Sequence, residues 1–105
     1  MPAEIVVKFS WIPAECGGHR ADPWPGMRPT IRWQRYVEAW LERIRDAQCE
    51  ELEFDGSTRI GLARMQLMSD DPLPSKMLQP GELVELLDGS RVIAVGKIET
   101  LEKQP

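Results

Sequence analysis

The sequence predicts an all-β protein: a closed or nearly closed antiparallel barrel of six short strands, with one short inserted helix. Three observations lead there. Apolar residues recur mostly at every second position, the period of a strand with one buried face. The prolines fall between the alternating runs and not within them, as ladder hydrogen bonding requires. Two of the runs end in Asp-Gly, at Asp55-Gly56 and Asp88-Gly89, a pair that turns a hairpin. With 105 residues, 42% of them hydrophobic, the chain can bury one modest core without metals or disulfides, so residues 1–105 are read as a single domain.

The elements follow in order. Glu4 to Ile12 alternates Ile5, Val7, Phe9 and Trp11 with residues that include Lys8 and Ser10, and reads as the first strand. Pro13 to Pro29 holds four prolines and three glycines, which rules out a helix interior or a central strand and leaves a shaped loop. Thr30 to Trp33 resumes the alternation. From Tyr36 to Ala47 the apolar positions Val37, Trp40, Leu41 and Ile44 fall at helical spacing among charged residues, which predicts a short helix within an insertion at about 34–48. Cys49 to Phe54 is the third strand. Arg59 to Met68 is the fourth, where Ile60 and Leu62 keep one phase and Met65 and Leu67 the other, so a bulge is expected near Gly61 to Arg64. Ser69 to Gly81 is a proline-rich loop. Glu82 to Leu87 and Arg91 to Leu101 form the closing hairpin, in which both turn residues are expected to accept positive φ.

Composition narrows the function classes. No stretch of eighteen apolar residues occurs, and the N-terminus has no basic region followed by an apolar run, so the expectation is a soluble, cytoplasmic protein with no membrane partner. Two cysteines, Cys16 and Cys49, lie far apart and outside any metal-ligand spacing, as a reducing compartment permits. The net charge of -4 argues against general nucleic-acid affinity. Residues 1–37 nevertheless carry a balance of +2 and residues 38–105 one of -6, a pattern that places a local basic surface on an acidic body.

Glu15, Gly17-Gly18, His19-Arg20, Pro23-Trp24 and Gly26-Met27-Arg28-Pro29 together resemble the loop after the first strand in the third domain of elongation factor Tu. That loop reads Glu-Gly-Gly-Arg-His-Thr-Pro, then an aromatic, then Gly-Tyr-Arg-Pro. The closing hairpin is similar as well: Gly81, Asp88-Gly89-Ser90-Arg91 and Gly96 parallel the family's Gly, Glu-Gly-Gly-Arg and Gly at the same relative spacing. The likeness runs from Glu4 to Ile98 and is interrupted from Gln34 to Gln48. Within the loop Cys16 is an extra residue, the His/Arg order is reversed, and Met27 stands where the family has tyrosine. The resemblance implies a six-stranded barrel of the translation-factor C-terminal type, which in the intact factor packs on a GTPase domain and helps to hold the T-arm of aminoacyl-tRNA. No such GTPase domain is expected within residues 1–105. Gly96-Lys97-Ile98 lacks the upstream glycine and the hydroxyl of a P-loop, so neither nucleotide binding nor GTP hydrolysis is expected.

Each candidate residue carries two readings. Gly17 and Gly18 supply positive φ or close backbone approach, in a tight turn or against a ligand. His19 and Arg20 offer a switchable donor and a phosphate-binding fork, or a solvated loop tip. Trp24, between two prolines, either stacks on a base or anchors a partner, or else caps the barrel mouth. Arg28 pairs with a phosphate or with a carboxylate of the barrel. Arg32, Arg35 and Arg91 either extend the basic surface or lie on solvated faces. Cys16, His19 and Asp22 lack the orienting group of a nucleophilic site and the fourth ligand of a structural zinc, so no catalytic residue, metal or cofactor is expected.

The binding set is therefore Gly17, Gly18, His19, Arg20, Trp24, Arg28, Arg32 and Arg91. The expected function is that of a non-enzymatic module contacting RNA of tRNA-like form or a protein of the translation machinery. The alternative is a protein-protein interaction module, such as an inhibitor, immunity or docking protein, that keeps the barrel without RNA binding.

Overall fold

The computed structural model describes residues 4–34, 44–69 and 75–99. They form six strands: β1 (Glu4–Trp11), β2 (Thr30–Trp33), β3 (Ile44–Asp55), β4 (Ile60–Leu67), β5 (Leu83–Asp88) and β6 (Arg91–Ile98). The strands close in the order β1-β4-β3-β2-β5-β6, with every neighbouring pair antiparallel. Closure leaves no open sheet edge. The alternation read in β1 becomes the inner face of the barrel, where Ile5, Val7, Phe9 and Trp11 are buried with Ile31, Trp33, Ala63, Met65, Val84, Leu86 and Ile98. Burial of side chains this large is worth about 1.5–3 kcal/mol each, which is why one small barrel is enough.

Three expectations change. β3 begins at Ile44, so Ile44 to Ala47 are strand and not the end of a helix, with Ile44 paired to Arg32 and Asp46 to Thr30. The remainder of the helix expected from Tyr36 lies outside the described residues. The bulge is not on β4 but on its partner: Glu50 is the extra residue between the pairs Cys49–Met65 and Glu51–Arg64. β4 keeps one phase throughout, with Gly61, Ala63, Met65 and Leu67 inward and Ile60 and Leu62 exposed. The apparent phase break was a pair of apolar residues on the outer wall. In the closing hairpin only Gly89 has positive φ (64°), the pattern of a turn with glycine at its first central position. A second irregularity lets Ile93 turn inward beside Ala94.

Each mouth of the barrel is closed by a tryptophan held to a loop. Trp11, at the end of β1, donates its indole N–H to the Ala21 carbonyl at 3.0 Å. At the opposite mouth Trp33, at the end of β2, donates to the Met77 carbonyl at 2.7 Å, in the 3₁₀ turn Ser75–Leu78. A buried indole N–H without a partner is costly, so these bonds fix where the two loops lie.

Candidate functional site

The loop 12–29 covers the mouth at the ends of β1, β3 and β5. A 3₁₀ turn, Ala14–Cys16, opens it and ends at Gly17, whose φ of 94° is left-handed. Gly18 is required for a different reason: a Cβ there would collide with the Ile12 carbonyl. The return limb runs beside β3, with Gly26 N–H bonded to Cys49 O and Cys49 N–H to Met27 O at 2.9 and 2.8 Å. This places Met27 in the core, and Met27 together with Trp11 fills the mouth. Trp24 is not the cap: it is 42% exposed.

Beside Trp24 lies a hollow of about 210 Å³ lined by His19, Trp24, Met27, Arg28, Asp88 and Ile93, among others. The His19 ring stands 5.2 Å from that of Trp24 and 6.3 Å from that of Trp11. Its Nδ1 accepts the Ala21 N–H at 3.0 Å, so in the neutral ring Nε2 carries the proton and faces the Asp88 carboxylate at 3.5 Å. Arg91 donates to the Gly18 carbonyl at 3.3 Å, tying the closing hairpin to the loop. Arg20 and Arg28 are exposed and have neither ion pair nor hydrogen bond among the described residues.

Seven of the eight expected binding residues, Gly17, Gly18, His19, Arg20, Trp24, Arg28 and Arg91, therefore lie in the loop or on the hairpin bonded to it. Arg32 does not join them. It projects from the outer wall, where its Nε donates to Glu85 Oε1 at 2.7 Å and its Nη2 pairs with the same carboxylate. Arg35 lies outside the described residues.

Sequence reasoning missed Arg59, the one described non-glycine residue with positive φ, at 62°. Its Nε donates to the Trp11 carbonyl at 3.2 Å, its guanidinium stands 5.9 Å from the centre of the Phe54 ring, and its Nη1 lies 3.8 Å from Asp22. It braces the mouth from the β3–β4 turn. Its left-handed backbone closes the β3–β4 turn, where its N–H donates to the Asp55 carbonyl at 2.7 Å, and arginine is not a residue type that signals such a position. In the same turn the Ser57 hydroxyl, the Ser57 N–H and the Thr58 N–H all donate to Asp55, which holds its carboxyl below the usual carboxylate range.

Cys16 is exposed and Cys49 buried; burial pushes the Cys49 thiol up, against a smaller lowering by the backbone contact with Gly26. Among the described residues no three His, Cys, Asp or Glu side chains gather as metal ligands, and no helix is long and apolar enough to cross a membrane. The chain matches no protein-family model, and comparison with curated proteins finds no significant match.

Proposed function

We propose that this chain is a non-enzymatic binding module that holds a single-stranded or looped segment of RNA, tRNA-like in form, against the loop-covered mouth of the barrel. The observation that carries the reading is the half-exposed Trp24 with Arg20 and Arg28, two guanidiniums unpaired among the described residues, in the same loop. An aromatic face stacks on any base, and unpaired arginines neutralise backbone phosphates; together these are the elements of single-strand recognition. The resemblance of the loop and the closing hairpin to the third domain of elongation factor Tu supports the same reading and suggests a cytoplasmic place beside the translation machinery. Arg32, neutralised by Glu85, is left out of the contact set.

The test is anisotropy of labelled tRNA and of a labelled stem-loop titrated with the protein across a range of salt. Contacts from Arg20, Arg28 and Arg91 would give log K against log salt a slope of about -2, since each phosphate on a single strand contributes roughly -0.7. Arg20→Ala and Arg28→Ala should each remove about one such increment. Trp24→Ala should weaken binding by about 1–3 kcal/mol with the slope unchanged. No binding at low salt overturns the proposal. A stable partner from lysate that survives nuclease treatment favours the alternative, a protein-interaction module.

A further inference from the structure

We infer a second interaction surface on the outer wall of the barrel, independent of the RNA reading: a trough that docks an amphipathic helix from a partner protein, with acidic side chains flanking its apolar stripe. Four of the six exposed large apolar residues among those described, Ile60, Leu62, Leu83 and Val95, share this wall. The register sets them in two rows across four adjacent strands. One row reads Leu62 on β4, Lys8 on β1, Lys97 on β6 and Leu83 on β5; the next reads Ile60, Ser10, Val95 and Glu85. Lys8, Ser10, Ile60, Leu83, Val95 and Lys97 line a trough of about 510 Å³.

The charges in this trough select its occupant. Lys8 and Lys97 stand directly opposite each other on neighbouring strands, an arrangement that is destabilising unless something negative lies between or above them. Lys97 is ion-paired with Glu99 at 4.0 Å, and Lys8 pairs with no carboxylate among the described residues. Glu85, the acid of the second row, is already neutralised by Arg32. The charge in the trough left without a carboxylate among the described residues is therefore that of Lys8, which is positive and lies among apolar side chains. Because the barrel is closed, a partner cannot add a strand and must be held through side chains, the mode of a helix in a groove. Ile60, on β4, stands three strand spacings from Leu83 on β5, about 14 Å, enough to seat a helix of about 10 Å diameter.

The test is selection from a displayed library of 16-residue peptides, followed by anisotropy with the enriched sequences. The expected result is a stripe of apolar residues at i, i+3, i+4 and i+7 flanked by Asp and Glu. Binding should weaken at least tenfold in Leu83→Glu and in the double variant Lys8→Glu/Lys97→Glu, and the double variant should prefer the peptide with lysines in place of its acids. Val95→Thr, which keeps the shape of the strand, serves where a glutamate prevents folding and should weaken binding about threefold. Enriched peptides without acids, or binding indifferent to all these variants, would overturn the inference. So would a dimer in sedimentation that Leu83→Glu dissociates, which assigns the trough to a second copy. So would binding that appears only once residues 35–43 are replaced by Gly and Ser, which assigns it to the chain itself. Labelled tRNA that binds wild type and Leu83→Glu alike keeps the two surfaces separate, and displacement of tRNA by the peptide refutes that separation.

Discussion

Gly17 and Gly18 are neighbours held as glycine by unrelated constraints. Gly17 has open space around it and a left-handed backbone, so Gly17→Ala should cost about 1 kcal/mol. Gly18 has an ordinary backbone but no room, since a Cβ would meet the Ile12 carbonyl, so Gly18→Ala should cost about 2–3 kcal/mol and loosen the bond from Arg91. Urea-unfolding midpoints of the two variants distinguish conformation from space. The cysteines divide in the same local way. At pH 8 an aromatic disulfide reagent should label Cys16 quickly in the native protein and Cys49 only on unfolding, because Cys49 is buried and its thiol is held neutral. The glycine pair was legible in the sequence. Which glycine answered to which constraint was not, because the obstructing atom belongs to a residue brought back by the fold of the loop.

The hairpins show how far pattern alone reaches at the level of elements. β1 and β2 appear almost where alternation places them, since every second residue there faces the core. β4 misled because Ile60 and Leu62 are apolar and yet face outward, and periodicity cannot tell an apolar outer wall from a bulge. β3 was cut short because Ile44 fits a helical stripe as well as a strand; its pairing with Arg32 decides. The β3–β4 turn carries a pH-dependent contribution from Asp55. Its carboxyl is depressed in the folded state, so the stabilisation is present above the unfolded value, about 3.9, and is lost as pH falls through the lower folded value. Asp55→Asn should therefore flatten the loss of stability below about pH 4, as measured by thermal unfolding across pH.

Across the whole molecule, closure joins distant segments and the two tryptophan anchors divide its functions. Trp11→Phe and Trp33→Phe should each cost about 1–3 kcal/mol, because each leaves a loop carbonyl without its indole partner. Only Trp11→Phe should also weaken tRNA, since Ala21 lies in the loop that carries His19 and Trp24, whereas Met77 belongs to the opposite mouth. Thermal melts and anisotropy on the same two variants separate stability from site geometry. The proposed RNA contact and the proposed helix trough lie on different faces, one at a mouth and one on the wall, so the barrel could hold two partners at once.

The sequence by itself determined the all-β class, the strands with one buried face, the glycine- and proline-shaped loop and the hairpin that the loop meets. These follow from short-range chemistry: side-chain alternation, fixed proline φ and the freedom of glycine. Only the tertiary structure decided which arginines remain unpaired, because pairing depends on strands far apart in the chain. Arg32 meets Glu85 across β2 and β5, while Arg20 and Arg28 meet no carboxylate among the described residues. It also decided that Ile60, Leu62, Leu83 and Val95 form one surface, since their alignment exists only once β4, β1, β6 and β5 close side by side.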